Sequence, residues 1–149
     1  MGARRLLRAA TAALGLAGAL SACAPRPPKA REPTPVHLSN AILSFALAQV
    51  GKPYCWGGEG PRCFDCSGLA RAAWWRAGIG IPRTSTAQGS ALPEVALGDV
   101  QPGDILWWPG HVGIYLGGGR MVDAVNERTG IVAHPISTWP PRALRPAVR

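Results

Sequence analysis

The sequence predicts an α+β domain in which a helix with a cysteine at its N-terminus packs against a central antiparallel sheet. Three features carry that prediction. Counting from Cys66, the residues Leu69, Ala70, Ala73, Trp74 and Ala77 recur at steps of three and four, which is one face of a helix. HVGIYLG, His111 to Gly117, sets Val112, Ile114 and Leu116 against His111, Gly113 and Tyr115, the period of two of a half-buried strand. Gly117, Gly118 and Gly119 then supply a hairpin turn, after which RMVDAV and IVAHPI return as further strands of a meander.

At 149 residues the chain holds one small domain plus extensions. The formal charge is +8, but seven basic and seven acidic residues balance between Leu38 and Ser137. The domain itself is therefore near neutral, which argues against a nucleic-acid partner despite the basic total. The excess sits outside it, on Arg4, Arg5 and Arg8, on Arg26, Lys29 and Arg31 beside Glu32, and on Arg142, Arg145 and Arg149, and suits an anionic membrane or wall surface.

In chain order, residues 1–22 read as a secretory signal, with a basic start and an apolar run from Ala9 to Leu20 that is short for a bilayer span. The run ends in LSAC, which resembles the lipobox of bacterial lipoproteins. That resemblance implies that Cys23 becomes the lipidated first residue of the mature chain and anchors it to a membrane. An ordinary cleaved signal is the alternative. Residues 23–37 read as the anchor cysteine and a Pro-rich tether with little to bury.

Ser39 or Asn40 is expected to cap a structural helix from Ala41 to Val50, with Ile42, Phe45, Ala46 and Gln49 on one side and Gly51 and Pro53 as its stop. PYCWGGEGPRC is a glycine-rich loop leading to Cys66, and Gly78 suits a left-handed cap at the far end of that helix. IPRTSTAQGSA reads as a loop and a short helical turn, and Pro102–Gly103 as a turn into a strand over Asp104–Trp108. Residues 38–137 make up the domain, and residues 138–149 read as a mobile basic tail.

A thiol in the first turn of a helix meets free backbone N–H groups and the positive end of the dipole, both of which favour thiolate. Cys66 is thus a candidate nucleophile, a small buried hydrophobe being the other reading. A nucleophile needs a base, and the base needs orientation. Of the three histidines, His37 lies in the tether and His134 in a late strand, where a satisfied surface or core role explains it. His111 opens a strand directly after Pro109–Gly110, an edge position that projects into a cleft. A simply closed hairpin brings Asp123 beside it, where a carboxylate fixes the imidazole tautomer; a solvated strand carboxylate is the alternative.

PYCWGG, FDCSGL, PRTSTAQ, PGDILWW and HVGIYLGGGRMVDA occur in the order and spacing of the NlpC-type cell-wall peptidases. The chain resembles these papain-like cysteine peptidases of bacterial envelopes over about residues 40–137. The resemblance implies the papain-like NlpC-type fold, with Cys66 as nucleophile, His111 as general base and Asp123 in the third position. That position is most often His in the family, and Asn126 is a second candidate for it. It also implies peptidoglycan stem peptides as the partner, cut between D-glutamate and the diamino acid through an acyl-enzyme, with no cofactor and no metal. The oxyanion would meet backbone N–H groups at the start of the helix and the Tyr54 hydroxyl. Asp65 and Ser67 would bind polar ends of the peptide, Asp65 being equally a helix cap. Arg83, Ser85 and Gln88 match a segment near the cleft. Of Trp107 and Trp108, one belongs to the core and the other, Trp108, to the cleft wall.

With Cys23 lipidated and Cys66 catalytic, Cys55 and Cys63 remain. Outside the cytoplasm they can close the glycine loop as a disulfide. A Cys63–Cys66 pair would block the nucleophile, and two free thiols are a third arrangement. Three rival functions stand beside hydrolysis. They are a zinc module on Cys55, Cys63, Cys66 and His111, a wall-binding scaffold with a degenerate cleft, and an acyltransferase.

Overall fold

The computed structural model describes residues 35–140 and 142–148. The signal segment, Cys23 and the tether through Thr34 lie outside those residues. Helix α1 spans Pro35–Leu47, so it starts at Pro35 and not at Ala41, and the tether reading fails for its last three residues. Ser39 and Asn40 lie inside the helix. Proline is tolerated in a first helical turn, and Leu38, Ile42, Ala46 and Gln49 make a buried stripe that begins a turn before the capping pattern suggested.

The loop from Gly51 to Asp65 is stitched by a Cys55–Cys63 disulfide. It leads into helix α2, Cys66–Arg76, capped by Asp65, whose Oδ1 accepts from the Gly68 N–H at 2.7 Å. The helix ends as its sequence suggested: Gly78 takes φ +80° and the Ile79 N–H reaches back to the Trp74 carbonyl at 3.1 Å. Leu69, Ala70, Ala73 and Trp74 are buried along one face. Gly68 has a different task. A Cβ there would lie 2.0 Å from the Gly58 carbonyl oxygen, so only glycine lets the disulfide-bound loop close over the first turn of α2. Gly68→Ala must push backbone away and is expected to cost about 2–4 kcal/mol, read as a fall in melting temperature of roughly 10 °C or more.

Helix α3, Ser85–Ala91, is capped by the Thr84 hydroxyl, which accepts from the Ala87 N–H at 3.2 Å. The strands are β1 (Glu94–Val95), β2 (Ile105–Trp108), β3 (His111–Gly117), β4 (Arg120–Ala124), β5 (Ile131–Pro135) and β6 (Arg142–Leu144). They form one antiparallel sheet in the order β1-β6-β2-β3-β4-β5. The fold class is the one predicted, α+β with the cysteine helix packed on the sheet. Ile105, Val112, Ile114, Val122, Ala124, Ile131 and Leu144 meet the buried face of α2 in the main core.

The C-terminal stretch is not a tail. β6 lies between β1 and β2, with Ala143 and Leu144 fully buried. Its arginines are spent on fixed partners. Arg142 pairs with Glu94 at 2.7 Å, and Arg145 clasps both oxygens of buried Asp104 at 2.7 Å each. The reading of these two charges as free for a membrane or wall is therefore corrected.

Candidate active site

Three parts of the fold converge at the start of α2. Cys66 is the helix's first residue, half-buried and the free cysteine among the described residues. The start of β3 lies against it and brings both the His111 imidazole and the Val112 N–H within hydrogen-bonding reach of the sulfur. Burial by itself pushes the thiol pKa up. The His111 hydrogen bond, the Val112 N–H and the imidazolium charge outweigh that, and hold Cys66 below the ordinary thiol value.

The His111 Nε2 is 2.6 Å from Asp123 Oδ2, which leaves Nδ1 for the sulfur. Desolvation favours the neutral ring, yet the hydrogen bonds to Asp123 and Cys66 win and raise the imidazole pKa to about 9. A raised pKa stabilises the fold fully below pH 6.5 and ceases to do so as pH climbs through about 9. Asp123 is 3% exposed. It stands opposite β3 at Gly113, where an added Cβ would meet the Met121 methyl at 2.2 Å and the Asp123 Cβ at 3.3 Å, so the glycine makes room for both side chains.

The other oxygen of Asp123 is engaged as well. Oδ1 lies 2.9 Å from the Nε2 of His134 on β5. In the β4–β5 register Asp123 opposes Val132, so His134 is the diagonal neighbour on the same face. NERTG, Asn126 to Gly130, joins the two strands as a turn, and the register across it sets His134 beside Asp123. Asn126 itself does not orient His111. Its Oδ1 accepts from the Arg128 and Thr129 N–H groups at 3.0 and 2.9 Å and so builds that turn.

Asp65 is subscribed on both oxygens. Oδ1 accepts from Gly68 N–H, Ser67 Oγ and Arg83 Nη1, and Oδ2 from Gly57 N–H and Arg83 Nη2 at 2.6 Å. Burial raises its pKa, but Arg83 and the Gly68 N–H lower it further, to a net value below the usual carboxylate. A depressed pKa contributes stability that is present at neutral pH and lost on acidification through the folded value. Arg83→Ala is expected to cost roughly 2 kcal/mol at pH 7, since a hydrogen-bonded charge loses its partner. Melting curves should show that the variant loses less than the wild type between pH 7 and pH 3.

Tyr54 stands near the sulfur; burial first, then the Cys66 and Asp65 charges, push its pKa up. The tyrosine borders a cavity of about 520 Å³ with residues 125–129. On the histidine side a second cavity of about 260 Å³ is lined by Trp108, His111, Asp123, His134, Ser137 and Thr138. The Trp108 ring is 6.1 Å from the imidazole. Trp107 instead packs on Gly89 and donates to the Ser85 carbonyl at 2.8 Å. Buried Gln88 ties α3 to α2 by donating to the Ser67 and Pro82 carbonyls. The Ser85 side chain has no hydrogen bond to the cysteine–histidine site among the described residues. The disulfide takes Cys55 and Cys63 out of any four-ligand zinc set.

A family model described as the NlpC/P60 family matches residues 51–146. A probable endopeptidase of Corynebacterium glutamicum is 40% identical over 116 residues, covering 76% of this chain and 56% of that protein. A probable endopeptidase of Mycobacterium tuberculosis is 49% identical over 104 residues, 68% of this chain and 27% of that one. The chain thus spans between about a quarter and just over half of these curated relatives. Among solved structures, the peptidoglycan hydrolase RipB of Mycobacterium tuberculosis aligns at 31% identity and TM-score 0.67, over 74% of this chain and 65% of that one. The NlpC/p60 domain of the peptidoglycan hydrolase SagA aligns at 32% identity and TM-score 0.66, over 72% and 97%.

Proposed function

The chain belongs to the NlpC/P60 family, and from that premise we propose that it is a peptidoglycan hydrolase, a cysteine endopeptidase acting on stem peptides. One observation carries the reading: a free cysteine at a helix N-terminus beside an imidazole whose far nitrogen is held by a buried carboxylate. The Cys66 thiolate attacks the scissile carbonyl carbon, forming a C–S bond and an oxyanion. Backbone N–H groups at the start of α2 and the Tyr54 hydroxyl, kept protonated by its raised pKa, stabilise that charge. Collapse breaks the C–N bond while His111 gives its proton to the leaving amine. Water, deprotonated by His111, then hydrolyses the thioester. The amide between D-glutamate and the diamino acid is the bond this reading favours.

Asp65, Ser67 and Arg83 form a polar rim beside the nucleophile, and Trp108 walls the histidine side. The Ser85 carbonyl accepts from Trp107 at the start of α3, away from that rim. The lipoprotein reading of residues 1–23, with Cys23 as anchor, would hold the domain at an extracytoplasmic membrane surface. Among the described residues no helix is long and apolar enough to cross a membrane. The test is digestion of purified muropeptides in H₂¹⁸O, read by mass spectrometry. Hydrolysis puts one heavy oxygen on the new carboxyl group. Transfer to an added amine without the label would favour an acyltransferase, and no product would favour a wall-binding scaffold.

A further inference from the structure

His134 has no part in the mechanism above, yet it is tied to the site's most buried charge. A carboxylate only accepts hydrogen bonds, so an imidazole nitrogen beside each oxygen of Asp123 must donate to it. The row runs across three adjacent strands, His111 on β3, Asp123 on β4 and His134 on β5. With Oδ2 at 2.6 Å from one ring and Oδ1 at 2.9 Å from the other, rotation of the carboxylate about its own bond is blocked from both sides. The His134 Nδ1 lies 2.8 Å from the Pro135 carbonyl, which accepts from it only when both ring nitrogens carry protons. The ring borders the 260 Å³ cavity shared with His111 and Asp123 and is 35% exposed, so apolar packing does not account for it.

We propose that His134 is a positioning residue, which locks Asp123 so that its other oxygen stays aimed at His111. The inference rests on the reading of Cys66 and His111 as nucleophile and base, and extends that pair to a chain of four: Cys66, His111, Asp123, His134. Its removal leaves Asp123 free to turn, so the His111 ring spends less time facing the sulfur. His134 is none of the residues assigned above to the substrate.

The full chain is compared with His134→Ala, His134→Gln and His134→Gly. The expected result for His134→Ala is a kcat lower by about 10-fold with KM within about twofold, as for other losses of a residue that orients a reacting group through an intermediary. Alkylation of Cys66 by iodoacetamide at pH 7, which needs no substrate, should slow by a similar factor. His134→Gln puts an amide N–H in reach of Oδ1 and should recover most of the loss. Added imidazole should accelerate His134→Gly through the enlarged cavity, and leave wild type unchanged. Wild-type kcat and alkylation rate in His134→Ala would overturn the proposal. So would a loss that only tracks a lower melting temperature and answers to neither glutamine nor imidazole. If Cys66→Ala is inactive while His134→Ala behaves as wild type, this inference fails and the mechanism stands. If Cys66→Ala is as active as wild type, both fail.

Discussion

Cys66→Ala is expected to lower stem-peptide hydrolysis by about 10⁴-fold or more, in the range seen when a hydrolase loses its nucleophile. Cys66→Ser should fall nearly as far, because a hydroxyl beside the same imidazole is far less readily ionised than a thiol. Neither change should unfold the domain. The cap of α2 is Asp65, and position 66 contributes one half-buried atom to the core. The loss should appear in kcat, with unchanged melting temperature and unchanged binding of the uncut peptide. The wild-type rate should rise with pH through the lowered Cys66 value and fall as His111 loses its proton near pH 9. Fragment release by Cys66→Ala at a rate within tenfold of wild type would remove the sulfur from the mechanism.

Much of this site was legible because it depends on local patterns. The helix carrying Cys66 announces itself by its period and its Gly78 stop, and the strand from His111 to Gly117 was bounded correctly by its alternation and glycines. The hairpin then forces Asp123 next to His111. What stayed hidden is long-range. The residues around β6, WPPRALRP, carry the composition of a solvated tail. The strand forms because two open sheet edges and two unpaired acids, Glu94 and Asp104, wait for it elsewhere in the chain. The ion pair between Asp65 and Arg83 likewise depends on how α3 folds back on α2, which no periodicity encodes. The start of α1 is hidden for a different reason. Ser39 and Asn40 resemble caps, but burial of Leu38 decides where the helix begins. His134 does not stand out in the sequence because a lone histidine in a strand has many ordinary explanations, and only the β4–β5 register singles it out.

Asp123→Asn is expected to lower kcat by roughly 10²–10⁴-fold, the scale reached when a triad carboxylate becomes an amide. The amide has nearly the same shape, so packing cannot explain such a loss. Its NH₂ group accepts nothing, and one of the two imidazoles must then face a donor. If that imidazole is His111, the ring turns its proton the wrong way and cannot both hold the thiolate and protonate the leaving amine. The raised pKa of His111 owes its largest upward contribution to Asp123. The alkaline limb of the pH–rate profile should therefore move down from about 9 in the variant. Stability should follow the same sign, with the variant's deficit greatest below pH 6.5 and closing as pH rises towards 9. An imidazole at position 123 offers one accepting nitrogen in its neutral form, whereas the carboxylate offers two oxygens and both are used. Asp123→His should thus satisfy His111 or His134 but not both, and should retain more activity than Asp123→Asn while remaining below wild type. A variant carrying Asn at this position with wild-type kcat and an unmoved alkaline limb would show that the imidazole needs no carboxylate to hold it.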